Sequence, residues 1–209
     1  KGYRGQWYDP IDSYDYQGPS WIVTEEDGGK YMEQMRLGSP GAHVSCPTLT
    51  AGDKDWTDYT VSVKMRSLYP KEPAGILFRY QTSLMHNAFY LCDGKAQLYR
   101  IEKDTRTLLA QADFPFDCDT FYTLCAQVQG NQITLKIDGQ TILTACDGRY
   151  ASGSIALAAF MPTQYTDVCV YADQAVVDTL IAARTKKAQA LAEKRARYPQ
   201  PKLHRIIDL

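Results

Sequence analysis

The sequence is marked first by what it has little of. Among its 209 residues are only three histidines, His43, His86 and His204, in three separate segments. None stands beside a serine or cysteine in a nucleophile motif, so a catalytic triad has no support. The six cysteines, Cys46, Cys92, Cys118, Cys125, Cys146 and Cys169, contain no C-x-x-C pair, and no histidine is near enough to complete a zinc site. Their even number permits disulfides, but the spacings show no framework. Four fall in or at the ends of expected strands, where a free thiol behaves as a small apolar side chain. Mostly free thiols are expected. The formal net charge is -1, which offers no concentrated basic face for nucleic acid. No apolar run approaches the roughly 20 residues of a membrane span.

What is present is a rhythm of short strands. Tyr59, Val61, Val63 and Met65 alternate with Thr60, Ser62, Lys64 and Arg66, the pattern of a strand with one wet face. Further strands are expected at Trp21–Thr24, Tyr31–Arg36, Gly75–Tyr80, Ala88–Cys92, Gln97–Ile101 and Thr107–Ala110. More follow at Phe121–Val128, Ile133–Ile137, Thr141–Ala145, Gly153–Ala159 and Asp167–Tyr171. Asp93-Gly94 and Asp138-Gly139 are hairpin signals. Many short strands with almost no helix between them predict an all-β sandwich or barrel, and one-sided alternation predicts antiparallel sheets.

The pattern changes at Asp173. From there to about Arg197 there is no glycine or proline, and good helix formers dominate. Asp173 is placed to cap a helix whose Val177, Leu180, Ile181, Ala188 and Leu191 fall near one face. Its arginines and lysines are read as a solvated face. Tyr198-Pro199-Gln200-Pro201 ends it. The expectation is a sandwich over 1–172, then a helical spacer and linker over 173–209 leading to a following domain.

Trp56-Thr57-Asp58-Tyr59-Thr60-Val61-Ser62-Val63, then Gly75-Ile76-Leu77-Phe78-Arg79-Tyr80 and Phe89-Tyr90-Leu91, resemble the laminin-G-like and concanavalin-A-like lectin/glucanase superfamily. The likeness continues through Phe121-Tyr122-Thr123-Leu124, Ile137-Asp138-Gly139 and the glycine-led strand after Asp147-Gly148-Arg149-Tyr150, covering about Trp56 to Tyr171. It implies a two-sheet antiparallel β-sandwich (jelly roll) with one curved sheet open to solvent, followed here by a C-terminal α-helix. The tail from Tyr198 to Leu209 is similar to the lead-in to a repeat domain of rhamnogalacturonan-lyase-like proteins. Together they imply a carbohydrate-binding accessory domain covalently linked to a secreted or cell-surface polysaccharide-degrading enzyme, with a plant cell-wall or pectin-type glycan as ligand.

Glycoside hydrolysis needs two carboxyl groups flanking the scissile bond. Relatives that hydrolyse β-glucans carry a Glu-x-Asp-x-x-Glu strand, and none is found here. Glu25-Glu26-Asp27 and the pair Asp117 and Asp119 read as turn chemistry. A sandwich that is itself a hydrolase or lyase, with a tyrosine or histidine base in the second case, and a purely structural domain remain the alternatives.

For binding, alternation offers a geometric argument. With Phe78 and Phe89 turned into the core, Arg79 and Tyr90 share the outer face of one sheet. An arginine fork matches vicinal hydroxyls or a uronate carboxylate, and a tyrosine face stacks on a pyranose. Equally, Arg79 forms a cross-strand ion pair and Tyr90 covers the sheet. Glu33 and Arg36 are expected to border that face, Asn87 to sit in the loop before Tyr90, and either Tyr99 or Arg100 to point towards a ligand. The resemblance also implies a structural Ca²⁺ where the N-terminal strand meets the last, with Asp9 and Asp167 nearest those places; a turn or surface role is the other reading.

Overall fold

The computed structural model describes residues 3–4, 7–8, 20–35, 46–103 and 105–198. The chain divides into two compact units, Lys1–Ala172 and Asp173–Leu209.

The first unit is two antiparallel sheets. The strands are β1 (Tyr3–Arg4), β2 (Trp7–Tyr8), β3 (Trp21–Glu26), β4 (Gly29–Gln34), β5 (Thr48–Ala51), β6 (Tyr59–Ser67), β7 (Ala74–Thr82) and β8 (Met85–Cys92). They continue with β9 (Lys95–Glu102), β10 (Thr105–Asp113), β11 (Tyr122–Gln129), β12 (Gln132–Ile137), β13 (Gln140–Cys146), β14 (Ser154–Ala159) and β15 (Thr163–Tyr171). One sheet has the order β1-β2-β5-β14-β7-β8-β9-β10, the other β13-β12-β11-β6-β15-β4-β3. The predicted sandwich is therefore the observed one. Strand β5, with its Thr-Leu-Thr-Ala sequence, was not among the expected strands.

The alternation in β6 holds residue by residue. Tyr59, Val61, Val63 and Met65 are buried against Ile76, Phe78, Phe89, Leu91 and Leu98 of the facing sheet. Burying a side chain of this size stabilises the fold by roughly 1.5–3 kcal/mol relative to exposure. Tyr165 reaches across the core, and its hydroxyl donates to the Ala158 carbonyl at 2.8 Å. At the hairpin turns both residues of Asp93-Gly94 and of Asp138-Gly139 have positive φ, the handedness that joins twisted strands.

Strand β7 departs from simple alternation. Ala74, Ile76 and Phe78 face the inter-sheet core, while Leu77 and Tyr80 join a second buried cluster with Ala88, Tyr90, Ala156 and Ala158. That cluster lies on the outer face of the eight-stranded sheet, opposite the core. Between Phe78 and Tyr80 the pairing with both neighbouring strands shifts, and Arg79 sits at φ +48°.

The second unit carries helix α1 (Gln174–Arg197). Asp173 precedes it in extended conformation, without a side-chain capping bond. None of the helix residues is buried, including the apolar set picked out by periodicity. Lys194, Arg195 and Arg197 occupy its last turn, where cations oppose the helix dipole favourably. Among the described residues, no helix is long and apolar enough to cross a membrane.

Candidate functional site

Register assembles the site. Ile101 of β9 pairs with His86 of β8 and with Arg106 of β10, so the three project to the same side. Tyr99 pairs with Ala88, one step along the same face. Tyr90 follows Ala88 by two residues and joins them. The result is a cavity of about 140 Å³ on the outer face of the eight-stranded sheet, with Thr48, Ser83, His86, Tyr90 and Arg106 in its wall. No aspartate or glutamate lines it among the described residues.

Arg106 governs the geometry. Its guanidinium carbon lies 4.2 Å from the centre of the Tyr99 ring and 5.6 Å from that of Tyr90. The two rings are tilted at 53° with centroids 6.5 Å apart. Tyr90 is only 4% exposed, and burial pushes its hydroxyl well above the usual phenol range. It is held as a neutral donor. The Cys46 thiol at the cavity wall is likewise pushed up by burial and stays protonated, although the Arg106 cation opposes the shift.

His86 stacks against Tyr80 with centroids 5.4 Å apart. Its Nδ1 lies 3.1 Å from the Thr82 carbonyl, which can only accept, so the neutral ring carries its proton there and leaves Nε2 as an acceptor. Burial lowers its pKa to about 4; the Thr82 bond opposes this and the Arg106 cation adds to it. At neutral pH the cavity therefore contains one cation, Arg106, and a neutral imidazole.

Of the residues expected at the site, Tyr90 and Tyr99 do share the outer face. Arg79 does not. The bulge at φ +48° breaks the alternation and turns the side chain into the protein, where it is fully buried. Its Nη1 donates to the Asp147 carbonyl at 3.2 Å and its Nη2 to the Gly130 carbonyl, on the opposite sheet. Its backbone N–H donates to the Tyr59 hydroxyl at 2.7 Å. Gly153 lets the bulge pack here, since a Cβ at that position would stand 2.1 Å from the Arg79 carbonyl carbon.

Asn87 lies inside β8, not in a loop, and is fully buried. It points inward because it pairs with Phe78, and its Nδ2 donates to Asp147 Oδ2 at 3.0 Å. Arg100 meets the other oxygen of the same carboxylate, also at 3.0 Å. Glu33 belongs to the seven-stranded sheet and accepts from Gln164 Nε2 at 3.3 Å, so it does not border the face of Tyr90. Arg36 lies outside the described residues.

Sequence reasoning missed Arg106, His86 as a cavity residue, and Asp147 as the hub of the buried cluster. The strand containing Arg106 was expected to begin one residue later, at Thr107. Asp147 read as a turn residue, and nothing local pairs it with Asn87, 60 positions away.

The calcium expectation meets a different arrangement. Asp167 is ion-paired with Lys64 at 2.8 Å, and Asp9 lies outside the described residues. No three histidine, cysteine, aspartate or glutamate side chains gather into a metal-binding group among the described residues. All six cysteines are free.

No protein-family model matches this sequence, and no curated protein matches it. Solved structures do match in fold. The carbohydrate binding module CBM66 from Bacillus subtilis is 12% identical, with a TM-score of 0.63 over 80% of this chain and 96% of that one. A xylan beta-1,4-xylosidase from Bacillus halodurans is 14% identical with a TM-score of 0.60, but the likeness spans 81% of this chain and only 37% of the xylosidase. The polysaccharide lyase family 7 alginate lyase AlgAT5 is 13% identical with a TM-score of 0.52, over 77% of this chain and 85% of that one. At these identities the likeness is one of fold, and the fold is a two-sheet antiparallel jelly roll.

Proposed function

We propose that the sandwich is a non-catalytic carbohydrate-binding module that holds an attached degrading enzyme on a polysaccharide, with a plant cell-wall or pectin-type glycan as the favoured ligand, outside the cell. The observation that carries this reading is the cavity on the outer face of the eight-stranded sheet. It combines an apolar floor with a few convergent polar groups, Arg106, His86 Nε2 and the Tyr90 hydroxyl, the composition of a small-molecule site. The matched folds include a carbohydrate-binding module and enzymes that act on polysaccharides, which supports the same reading. Among the described residues the cavity wall holds no carboxyl pair of the kind glycoside hydrolysis uses. A cavity this small buries little of a polymer, so affinity is expected at about millimolar to micromolar. Tethering then acts by raising the local concentration of substrate.

Calorimetry of the full chain against a panel of soluble plant polysaccharides tests the proposal. Saturable binding that is lost when Tyr90 is replaced by alanine supports it. An intact fold that binds no glycan in the panel overturns it.

One observation favours a second reading, a polysaccharide lyase. A neutral imidazole with a free Nε2, a phenol and an arginine in one cavity are the groups a lyase needs to remove a proton beside a carboxylate. Release of unsaturated uronate ends by the isolated chain, followed by ultraviolet absorbance, would establish it and displace the non-catalytic reading.

A further inference from the structure

Five arginines of the sandwich can be compared by what satisfies them. Arg66 is paired with Glu26 at 2.6 Å and with Gln164 at 3.0 Å. Arg100 is paired with Asp147 at 3.0 Å, and Arg149 with Glu102. Arg79 is buried against two backbone carbonyls. Arg106 differs from all of these. It is exposed, it makes no hydrogen bond or ion pair among the described residues, and its contacts there are the ring faces of Tyr99 and Tyr90.

Resting a guanidinium on ring faces consumes none of its N–H groups. The donors lie at the edges of the planar group and keep the fork spacing that matches a carboxylate. The tyrosines therefore do not serve as sugar platforms, because the arginine already covers them. They act as the rest on which an anion-binding fork is held. Among the described residues the cavity wall adds no aspartate or glutamate to neutralise the cation, and burial keeps His86 and the Cys46 thiol uncharged at neutral pH. A neutral sugar entering here would leave the cation without a counter-charge, whereas a sugar bearing a carboxylate supplies it.

Resting on the binding function proposed above, we infer that this cavity is selective for acidic sugars and that Arg106 is the specificity-determining residue, with the uronate carboxylate of the ligand against the Arg106 fork. The ring hydroxyls of the same sugar are left for His86 Nε2 and the Tyr90 hydroxyl.

The test uses the full chain and pairs of oligosaccharides that differ only in charge: galacturonate, glucuronate and mannuronate oligomers, each beside its carboxyl-reduced neutral counterpart. Calorimetry at low and high salt reads each affinity. At least one acidic oligomer is expected to bind about tenfold or more tightly than its reduced counterpart, as the loss of one charge-assisted bidentate contact implies. Raising the salt concentration should narrow that gap. Arg106→Gln should abolish the discrimination, and Arg106→Lys, which keeps the charge but not the fork, should retain part of it. Thermal unfolding of each variant confirms that the fold is kept. Equal binding of acidic and reduced partners, or discrimination that persists in Arg106→Gln, overturns the acidic-sugar assignment and leaves glycan binding standing. Failure to bind any of these oligosaccharides overturns the assignment, and glycan binding falls with it only if the polysaccharide panel above also fails.

Discussion

Each outer face of the sandwich carries an arginine beside aromatic rings, and the two are used differently. On the seven-stranded sheet Arg66 lies 4.8 Å from the centre of the Phe121 ring, which in turn stacks on Tyr31. That arginine is occupied. Glu26 and Gln164 take its N–H groups, and Gln164 passes its own amide to Glu26 and Glu33, so the face satisfies itself. On the eight-stranded sheet Arg106 has the ring contacts and, among the described residues, no carboxylate partner. An arginine saturated by its own fold contributes to structure. One held in place with its donors unspent is available to a ligand. Residue type and aromatic company are the same, so the distinction rests on the acids that the fold brings alongside.

The contrast can be broken or sharpened by substitution. The largest effect is expected at Arg79, the fully buried arginine whose Nη1 and Nη2 are taken up by backbone carbonyls. Arg79→Met leaves the Asp147 and Gly130 carbonyls without their Arg79 donors and removes one of the links between the sheets. A loss of about 3 kcal/mol in urea unfolding is expected, and a loss near zero would show that the buried guanidinium is not a strut.

Next comes pH. The folded pKa of His86, about 4, lies below its ordinary value of 6.5. The unfolded chain therefore binds the proton first as pH falls, and stability is lost between about pH 6.5 and 4. From pH 7 to pH 5 the loss should be about 2 kcal/mol. Thermal unfolding of His86→Gln across the same range should be nearly flat by comparison, and an unchanged slope would mean that the histidine does not titrate as its burial requires.

Smaller effects separate the two faces themselves. Arg66→Gln should cost up to about 1 kcal/mol, since its ion pair is partly exposed, and should leave glycan affinity unchanged. Weakened binding in that variant would move the site to the other sheet. Arg106→Gln should cost least in stability, about 0.5 kcal/mol for the exposed ring contact. It should also raise the midpoint of His86, because the cation opposes protonation of the ring, and the imidazole proton resonances would report that directly.

The sandwich could be read from the sequence because its signals are local. Alternation in β6, the Asp-Gly turns at 93–94 and 138–139, and the change of composition at Asp173 each lie within a few residues of what they specify. The candidate site was legible only in part. Tyr90 followed from the phase of a strand whose apolar neighbours, Phe89 and Leu91, are unmistakable, whereas the choice between Tyr99 and Arg100 was left to the fold. Arg79 was placed on the wrong side because one residue at positive φ reverses the phase after it. Asn87 was placed outside a strand that in fact begins at Met85.

By itself, then, the sequence determined the class of fold, the phase of its strong strands, the hairpin turns and the C-terminal helix. These follow from side-chain periodicity and turn chemistry, which act between near neighbours. Tertiary structure alone decided which charges meet. It joined Asn87 and Arg100 on Asp147, took Arg79 into the space between the sheets, and left Arg106 on two tyrosine rings with no acid paired to it among the described residues. Those outcomes depend on register and on a bulge, and both are set by pairing between strands distant in the chain.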